Sequence, residues 1–388
     1  MDKNIQELYN NMLTLVEQSD AFEYKDHISP GGGKYRIVSY RLAQYSDFLI
    51  PGALESRGTM YHIDDNGNLI DIAARTPVKF FNAFENPFTM FADDIGIDDV
   101  QLAMTKLDGS LISTFMDVDG VLRTKSHSSL SSDHALNSTA LIHKDPVFYD
   151  ELLELNKLGY TVNMEYTSPV YRIVLPYTED NLSVLNARHM YTGEYMAPEE
   201  LKKYPALYSS SVFFMQGSIH ETFPTEGNLK KICEDIRTNF RGVEGFVVAL
   251  KNGQYFKVKT DWYCNLHYRK ESITLPNRLF TIVLNKQSDD LRQLFHDDQF
   301  SLKCIEIMEQ LVFTCYNKLV KDVETFVEEN KNLPRKEFAM SVQKTVSNEM
   351  GRRGLIFTLL DGKNPDYAAA MQKNMSDITD VYISLIKG

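Results

Sequence analysis

The period of the apolar pattern changes once along this chain, from two to 3.6 near residue 270, so the two sides of that point must be built differently. Before it, short β-branched and aromatic runs alternate with turn signals. After it, residues 301–329 set Ile305, Met308, Val312, Tyr316, Leu319, Val323 and Phe326 on one stripe, which predicts a long amphipathic helix. Further helices are expected from Pro334 onwards and near Asp366–Lys373 and Asp377–Lys387. The expected fold class is α+β: antiparallel sheets with flanking helices, then an all-α C-terminal domain. An OB-fold in the last third would instead show five short strands.

A chain of 388 residues allows two or three domains with substantial cores. No run of about eighteen apolar residues occurs and the N-terminus lacks a signal-peptide profile, so a cytoplasmic protein without a membrane partner is expected. Cys233, Cys264, Cys304 and Cys315 lack zinc-ligand spacing and read as reduced, mostly buried thiols. The formal net charge of −12 argues against a general polyanion binder. It is unevenly spread: residues 264–388 hold 17 Lys+Arg and 17 Asp+Glu, so the acidic excess lies before them. Any nucleic acid must therefore be held by local basic patches.

Residues 2–19 carry Ile5, Leu8, Met12 and Leu15 at helical spacing. Ser29–Lys34 is glycine-rich, but Lys34 is followed by Tyr35 and a strand-like run through Tyr40. A phosphate-cradling loop needs Ser or Thr and then a helix, so that reading fails. A helix is expected over Pro146–Leu158.

The chemistry-bearing residues lie among the strand-like runs. Lys106-Leu107-Asp108-Gly109 puts one lysine before a turn signal, with apolar runs on both sides. It reads either as a surface hairpin with a solvated lysine or as a held nucleophile. Arg57 beside Gly58, and Lys79 among aromatics, would each be an ordinary surface cation if alone. Glu165 ends an apolar alternation over residues 160–166, where a carboxylate calls for a cation or a metal. The run from Val243 to Tyr263 contains Glu244-Gly245 and an Asn252-Gly253 hairpin turn. Its returning strand puts Lys257 and Lys259 on one face, which requires an anion there.

In this order, Arg57, Lys79, Lys106-x-Asp108-Gly109, Glu165, Glu244-Gly245 and Lys257-x-Lys259 resemble the covalent nucleotidyltransferases, a group of ATP-dependent DNA and RNA ligases and messenger-RNA capping enzymes. Within that group the chain resembles the bacteriophage tRNA-repair RNA ligases, the RNA ligase 1 family. The stretches Tyr35–Tyr40, Ala53–Tyr61, Lys79–Met90, Lys106–Phe115, Arg172–Tyr177, Val243–Tyr263 and Ser288–Leu291 carry this resemblance. Two positions depart from the family pattern. Leu107 stands where an acidic residue is common, and His127 stands where a second basic residue usually follows Lys125.

The resemblance implies a nucleotidyltransferase domain of the ATP-grasp-like ligase type over residues 1–265 and a helical tRNA-specificity domain over 266–388. It implies ATP and Mg²⁺, with Mn²⁺ as a substitute, and an RNA partner, a tRNA broken in its anticodon loop. It further implies a monomer in the cytoplasm of an infected bacterial host. Lys106 would attack the α-phosphorus of ATP to give lysyl–AMP, AMP would pass to an RNA 5′-phosphate, and a 3′-hydroxyl would then displace it. Lys257, Lys259 and the metal would lower the pKa of Lys106. Tyr40, Arg57, Lys79 and Tyr263 would complete the ATP site, and Glu165, Glu244, Asp289 and Asp290 would be the metal carboxylates, with Lys125 carried over as a further basic residue. Asp289-Asp290 also suits a plain helix start, where carboxylates favour the macrodipole. Two other readings stay open: a capping-type guanylyltransferase and a catalytically inactive RNA-binding module.

Overall fold

The computed structural model describes residues 2–41, 43–214, 219, 221–223 and 227–387. The chain divides into two compact units, Met1–Cys264 and Asn265–Gly388.

Among the described residues thirteen strands run through the first unit in chain order: β1 (Phe22–Ile28), β2 (Lys34–Tyr40), β3 (Thr59–Ile63), β4 (Leu69–Ala74), β5 (Phe81–Asn82), β6 (Val100–Lys106), β7 (Ser110–Met116), β8 (Leu122–Ser126), β9 (Tyr160–Thr167), β10 (Asn181–His189), β11 (Phe213–Phe214), β12 (Gly245–Leu250) and β13 (Tyr255–Lys259). They form three sheets, ordered β1-β2-β3-β4, β10-β9-β7-β8 and β11-β6-β12-β13-β5. All pairings are antiparallel except β13 with β5, which is parallel and joins Lys257 to Asn82.

Each sheet buries one face against a helix or helix pair whose apolar spacing the sequence carries. The helix Lys3–Gln18 packs Ile5, Tyr9, Met12 and Leu15 on the first sheet, against residues such as Val38, Tyr61 and Ile72. Behind the second sheet, Ile142, Phe148, Leu152 and Leu155 come from the helices Asp133–Lys144 and Pro146–Lys157. The first of these two was not anticipated, because its polar, serine-rich lead-in reads as loop. Ser132 in fact caps it, accepting from the Ala135 N–H. Ile232, Cys233 and Ile236 of the helix Leu229–Asn239 cover Val248, Phe256 and Val258 of the third sheet.

The stretch that reads as a strand–turn–strand at Lys106 is not a hairpin. β6 belongs to the third sheet and β7 to the second, so Lys106–Gly109 is where the chain crosses between sheets. The glycine-rich run before Lys34 is a plain β1–β2 turn, closed by the Ser29 N–H donating to the Gly33 carbonyl at 2.9 Å.

The second unit is helical, with the long helix spanning Gln299–Asn330. Ile305, Met308, Val312, Leu319 and Val323 of the expected stripe are buried, while Tyr316 is 36% exposed at its edge. Helices over Arg335–Thr345, Arg352–Leu360, Tyr367–Lys373 and Ser376–Lys387 complete the expected set. No helix is long and apolar enough to cross a membrane among the described residues. All four cysteines are free; Cys233 and Cys304 are buried, but Cys264 is exposed, contrary to the expectation of mostly buried thiols at that position.

Candidate active site

The second and third sheets face one another across a pocket of about 270 Å³ that Lys106 enters from its crossing turn. β6, β12 and β13 supply Met104, Lys106, Val247, Tyr255, Lys257 and Lys259 to it, while β7, β9 and β10 supply Leu111, Glu165, Leu185 and Asn186. Tyr40 at the end of β2, Arg57, and the segment Pro77–Phe80 close the remaining side. Five cations and one carboxylate therefore line it.

The crossing turn is held from below by Asp108, which is 3% exposed. Its Oδ2 accepts from the N–H groups of Val174 and Leu175, both at 2.7 Å, and its Oδ1 accepts from the Tyr263 hydroxyl at 2.6 Å. The Asp108 N–H in turn donates to the Tyr177 hydroxyl at 3.0 Å. Asp108 thus ties three segments together under Lys106: its own turn, Val174–Tyr177 and Tyr263. Burial, and then the Asp108 carboxylate, push the Tyr263 phenol upward, so it stays a donor. Gly109 is required by close approach: a Cβ there would lie 2.4 Å from the Tyr166 carbonyl oxygen.

Glu244 precedes β12, is 3% exposed, and accepts from two amines at one oxygen: Lys106 Nζ at 2.8 Å and Lys259 Nζ at 2.9 Å. The neighbouring Gly245 has φ of +156°, and a Cβ on it would meet the Val258 carbonyl oxygen at 1.9 Å, so β12 and β13 can approach only with glycine here. Lys257 has no ion pair with a carboxylate among the described residues; burial first, and then Lys79, Lys106, Lys259 and Arg57, push it down to about 8. Glu165 lies opposite Leu111 across the β7–β9 pairing. Loss of solvent raises its carboxyl to about 7, against the opposing pull of Lys106 and Arg57.

At the far end, Lys79 Nζ donates to the Tyr40 hydroxyl at 3.1 Å and lies over the Tyr40 ring, while Arg57 lies over Phe80. Neither cation is on a strand, contrary to the sequence expectation. Arg57 precedes β3 and Lys79 follows β4, where loop backbone lets both reach inward. Behind them Glu55 accepts two bonds from Arg188, at 2.6 and 2.7 Å, and two from Arg75, at 2.9 and 3.4 Å. Burial pushes the Glu55 carboxyl up, but the two guanidinium groups prevail and hold it below its ordinary value. His127 meets Tyr40 edge-on, and burial together with Lys125, Arg57 and Lys79 pushes it down to about 4, leaving it neutral. Lys125 is fully buried and donates to the Ser126 carbonyl at 2.9 Å.

Of the sequence candidates, the structure brings Tyr40, Arg57, Lys79, Lys106, Glu165, Lys257 and Lys259 into one pocket lining, with Glu244 and Tyr263 directly behind. Asp289 and Asp290 lie in the second unit, in the first turn of the helix Ser288–Leu294. No group of three or more metal-ligating side chains occurs among the described residues. Reading the sequence alone missed Tyr195, Tyr255 and Asn186 in the lining. Tyr255 shares a strand face with Lys257 at two-residue spacing and was legible on that ground. Asn186 is turned inward by a bulge between Val184 and Asn186 in β10, which no residue pattern announces.

A family model described as RNA ligase matches residues 55–263, just over half of the chain, and a second, described as T4 RNA ligase 1, C-terminal domain, matches residues 270–362. The chain belongs to the RNA ligase 1 family of nucleotidyltransferases. An RNA ligase 1 of bacteriophage TS2126 is 26% identical over 387 residues, covering 92% of this chain and 83% of its own length. A Thermovibrio ammonificans protein provisionally named an RNA ligase is 26% identical over 263 residues, covering 66% of this chain and 64% of its own. The chain thus spans just under two thirds of that relative's length. Among solved structures, an archaeal ATP-dependent RNA ligase aligns over 90% of this chain and 95% of its own at 10% identity, with a TM-score of 0.43.

Proposed function

We propose that this family member is an ATP-dependent RNA ligase that joins a 5′-phosphate to a 3′-hydroxyl through lysyl–AMP and RNA-adenylate intermediates. The observation that carries the reading is Lys106: its amine shares the Glu244 carboxylate with Lys259 in a pocket whose other charged lining is cationic except for Glu165. An amine placed to bind phosphate passively would have no use for a buried carboxylate competing for it.

In the first step Lys106 Nζ bonds to the α-phosphorus and the bond to the pyrophosphate oxygen breaks. Arg57 and Lys79, at the far end of the pocket, would hold the triphosphate and stabilise the leaving pyrophosphate, with Tyr40 beside them. Lys257 and Lys259 would stabilise charge growing on the α-phosphate oxygens. Attack requires that the Glu244 pairing be given up and that the proton released as the N–P bond forms pass to solvent. Two carboxylates with no third ligand fit Mg²⁺, which takes one or two carboxylates and completes its shell with phosphates and water; Mn²⁺ accepts the same oxygen donors. Glu165 and Glu244 would hold that ion, which would supply positive charge at the reacting phosphate. Asp289 and Asp290 are assigned to the helix start, where they favour the dipole.

The helical unit is proposed to select the RNA, a tRNA broken in its anticodon loop. Sealing of a nicked tRNA against a linear oligonucleotide, with and without substitutions on that unit, tests this part alone. For the reaction itself, α-labelled ATP with Mg²⁺ is expected to leave label on the protein and Lys106→Ala to abolish it. Transferable label in that variant would refute the assignment, and label from GTP in preference to ATP would favour a capping-type enzyme.

A further inference from the structure

A second cavity, of about 570 Å³, opens at the edge of the third sheet, with Lys257, Lys259, Asp261 and the helix residues Lys230, Glu234 and Arg237 in its lining. Among the described residues, only Lys257 and Lys259 line both this cavity and the nucleotide pocket. The two spaces therefore meet at these two lysines, whose amines the first step places around the α-phosphate.

The edge is open for a definite reason. β5 is two residues long and pairs with β13 only as far as Lys257, whose carbonyl accepts from the Ala83 N–H at 2.9 Å. Residues two apart on a strand point their backbone groups to the same side, so the Lys259 N–H faces this same edge, past the end of β5. Lys230 and Arg237 lie on exposed helix positions along the cavity wall. The two carboxylates present are Glu234 and Asp261, and Asp261 is paired with Arg237 at 3.2 Å. Four cations against two carboxylates leave the lining positive in a chain whose net charge is −12. Cationic groups concentrated at the inner end suit a chain terminus with a charged end group, and a neutral 3′-hydroxyl brings no charge to that point.

We propose that this cavity is the entry groove for the 5′-phosphate-bearing RNA strand, with its terminal phosphate between Lys257 and Lys259 and its following backbone phosphates against Lys230 and Arg237. The proposal rests on the RNA ligase reading above. In the step it serves, an oxygen of the RNA 5′-phosphate bonds to the adenylate phosphorus, the bond from that phosphorus to Lys106 Nζ breaks, and the departing amine takes up a proton. The products are free Lys106 and a 5′-adenylylated RNA.

The test uses the full chain, loaded with α-labelled AMP and freed of ATP, then mixed with a 5′-phosphorylated oligoribonucleotide blocked at its 3′ end. Lys230→Glu and Arg237→Glu are expected to take up label as the unmodified protein does. They should need about tenfold or more RNA for half-maximal transfer of AMP to it, the loss of one charge-assisted phosphate contact. That uptake of label also shows that both variants are folded. Unchanged transfer in both variants overturns the proposal. Normal transfer with a defect confined to sealing onto a 3′-hydroxyl strand also overturns it, by assigning the groove to the other strand. If the unmodified protein takes up AMP and passes it to no RNA, the ligase reading falls and the groove falls with it. A defect in the variants alone leaves that reading standing and supports the groove.

Discussion

Replacing Tyr263 by Phe removes one oxygen from the space under Lys106, and the structure gives that oxygen a specific value. Tyr263 is 2% exposed and donates at 2.6 Å to Asp108, itself 3% exposed. A hydrogen bond to a charged group contributes about 1.5–3 kcal/mol, so Tyr263→Phe should destabilise the fold by that amount. Asp108 keeps its two amide donors, so the turn survives. Asp108→Ala is worse, because it removes the acceptor of two backbone N–H groups as well as that of the phenol, at about 1–3 kcal/mol each. In the double variant the phenol no longer needs a partner. The pair should therefore couple by about 1.5–3 kcal/mol in a double-mutant cycle of urea unfolding. Additive costs, with coupling below about 0.5 kcal/mol, would show that Tyr263 does not act through Asp108.

Three further outcomes follow from the same structure. Gly245→Ala should cost at least about 2 kcal/mol or prevent soluble expression, since overpacking and backbone strain each contribute about 1–3 kcal/mol; a Tm close to that of the unmodified protein would contradict the β12–β13 close approach. Burial holds Lys125 down to about 7 in the folded state, against an ordinary value of 10.5. Between those values the unfolded chain binds the extra proton, so stability should rise as pH increases from 7 to 10.5, and Lys125→Met should flatten that rise in denaturation curves taken across the range. Leu152→Ala, at a fully buried helix position against the second sheet, should cost about 2–5 kcal/mol by thermal unfolding, and a cost under about 1 kcal/mol would refute its place in that core.

Much of the architecture was legible because hydrophobic period is a local property. The change of period separated sheet from helix, and the stripe from Ile305 to Val323 marked the long helix before any contact was known. Lys257 and Lys259 were legible as a same-face pair because a strand alternates. The crossing at Lys106 was not, since a turn between two strands looks the same whether they pair with each other or with different sheets. Nor was the role of Asp108. Turn chemistry accounts for Asp-Gly by itself, and only the fold shows that its carboxylate faces Val174, Leu175 and Tyr263, up to 155 residues away. The same holds for Glu244, which shows in the sequence as one acid before a glycine and proves to be shared by two lysines. Sites gather residues distant in sequence, and spacing carries their identities but not their partners.

The central claim is that Lys106 is the atom-level point of attachment for AMP. Incubation with ATP and Mg²⁺, followed by quenching with EDTA and denaturant at mildly alkaline pH, where the P–N bond survives, then proteolysis and mass spectrometry, tests it most directly. The account predicts one adenylyl group per chain, on the peptide containing Lys106 and bonded through its amine. An adduct on another lysine, with Lys106 unmodified, would contradict it.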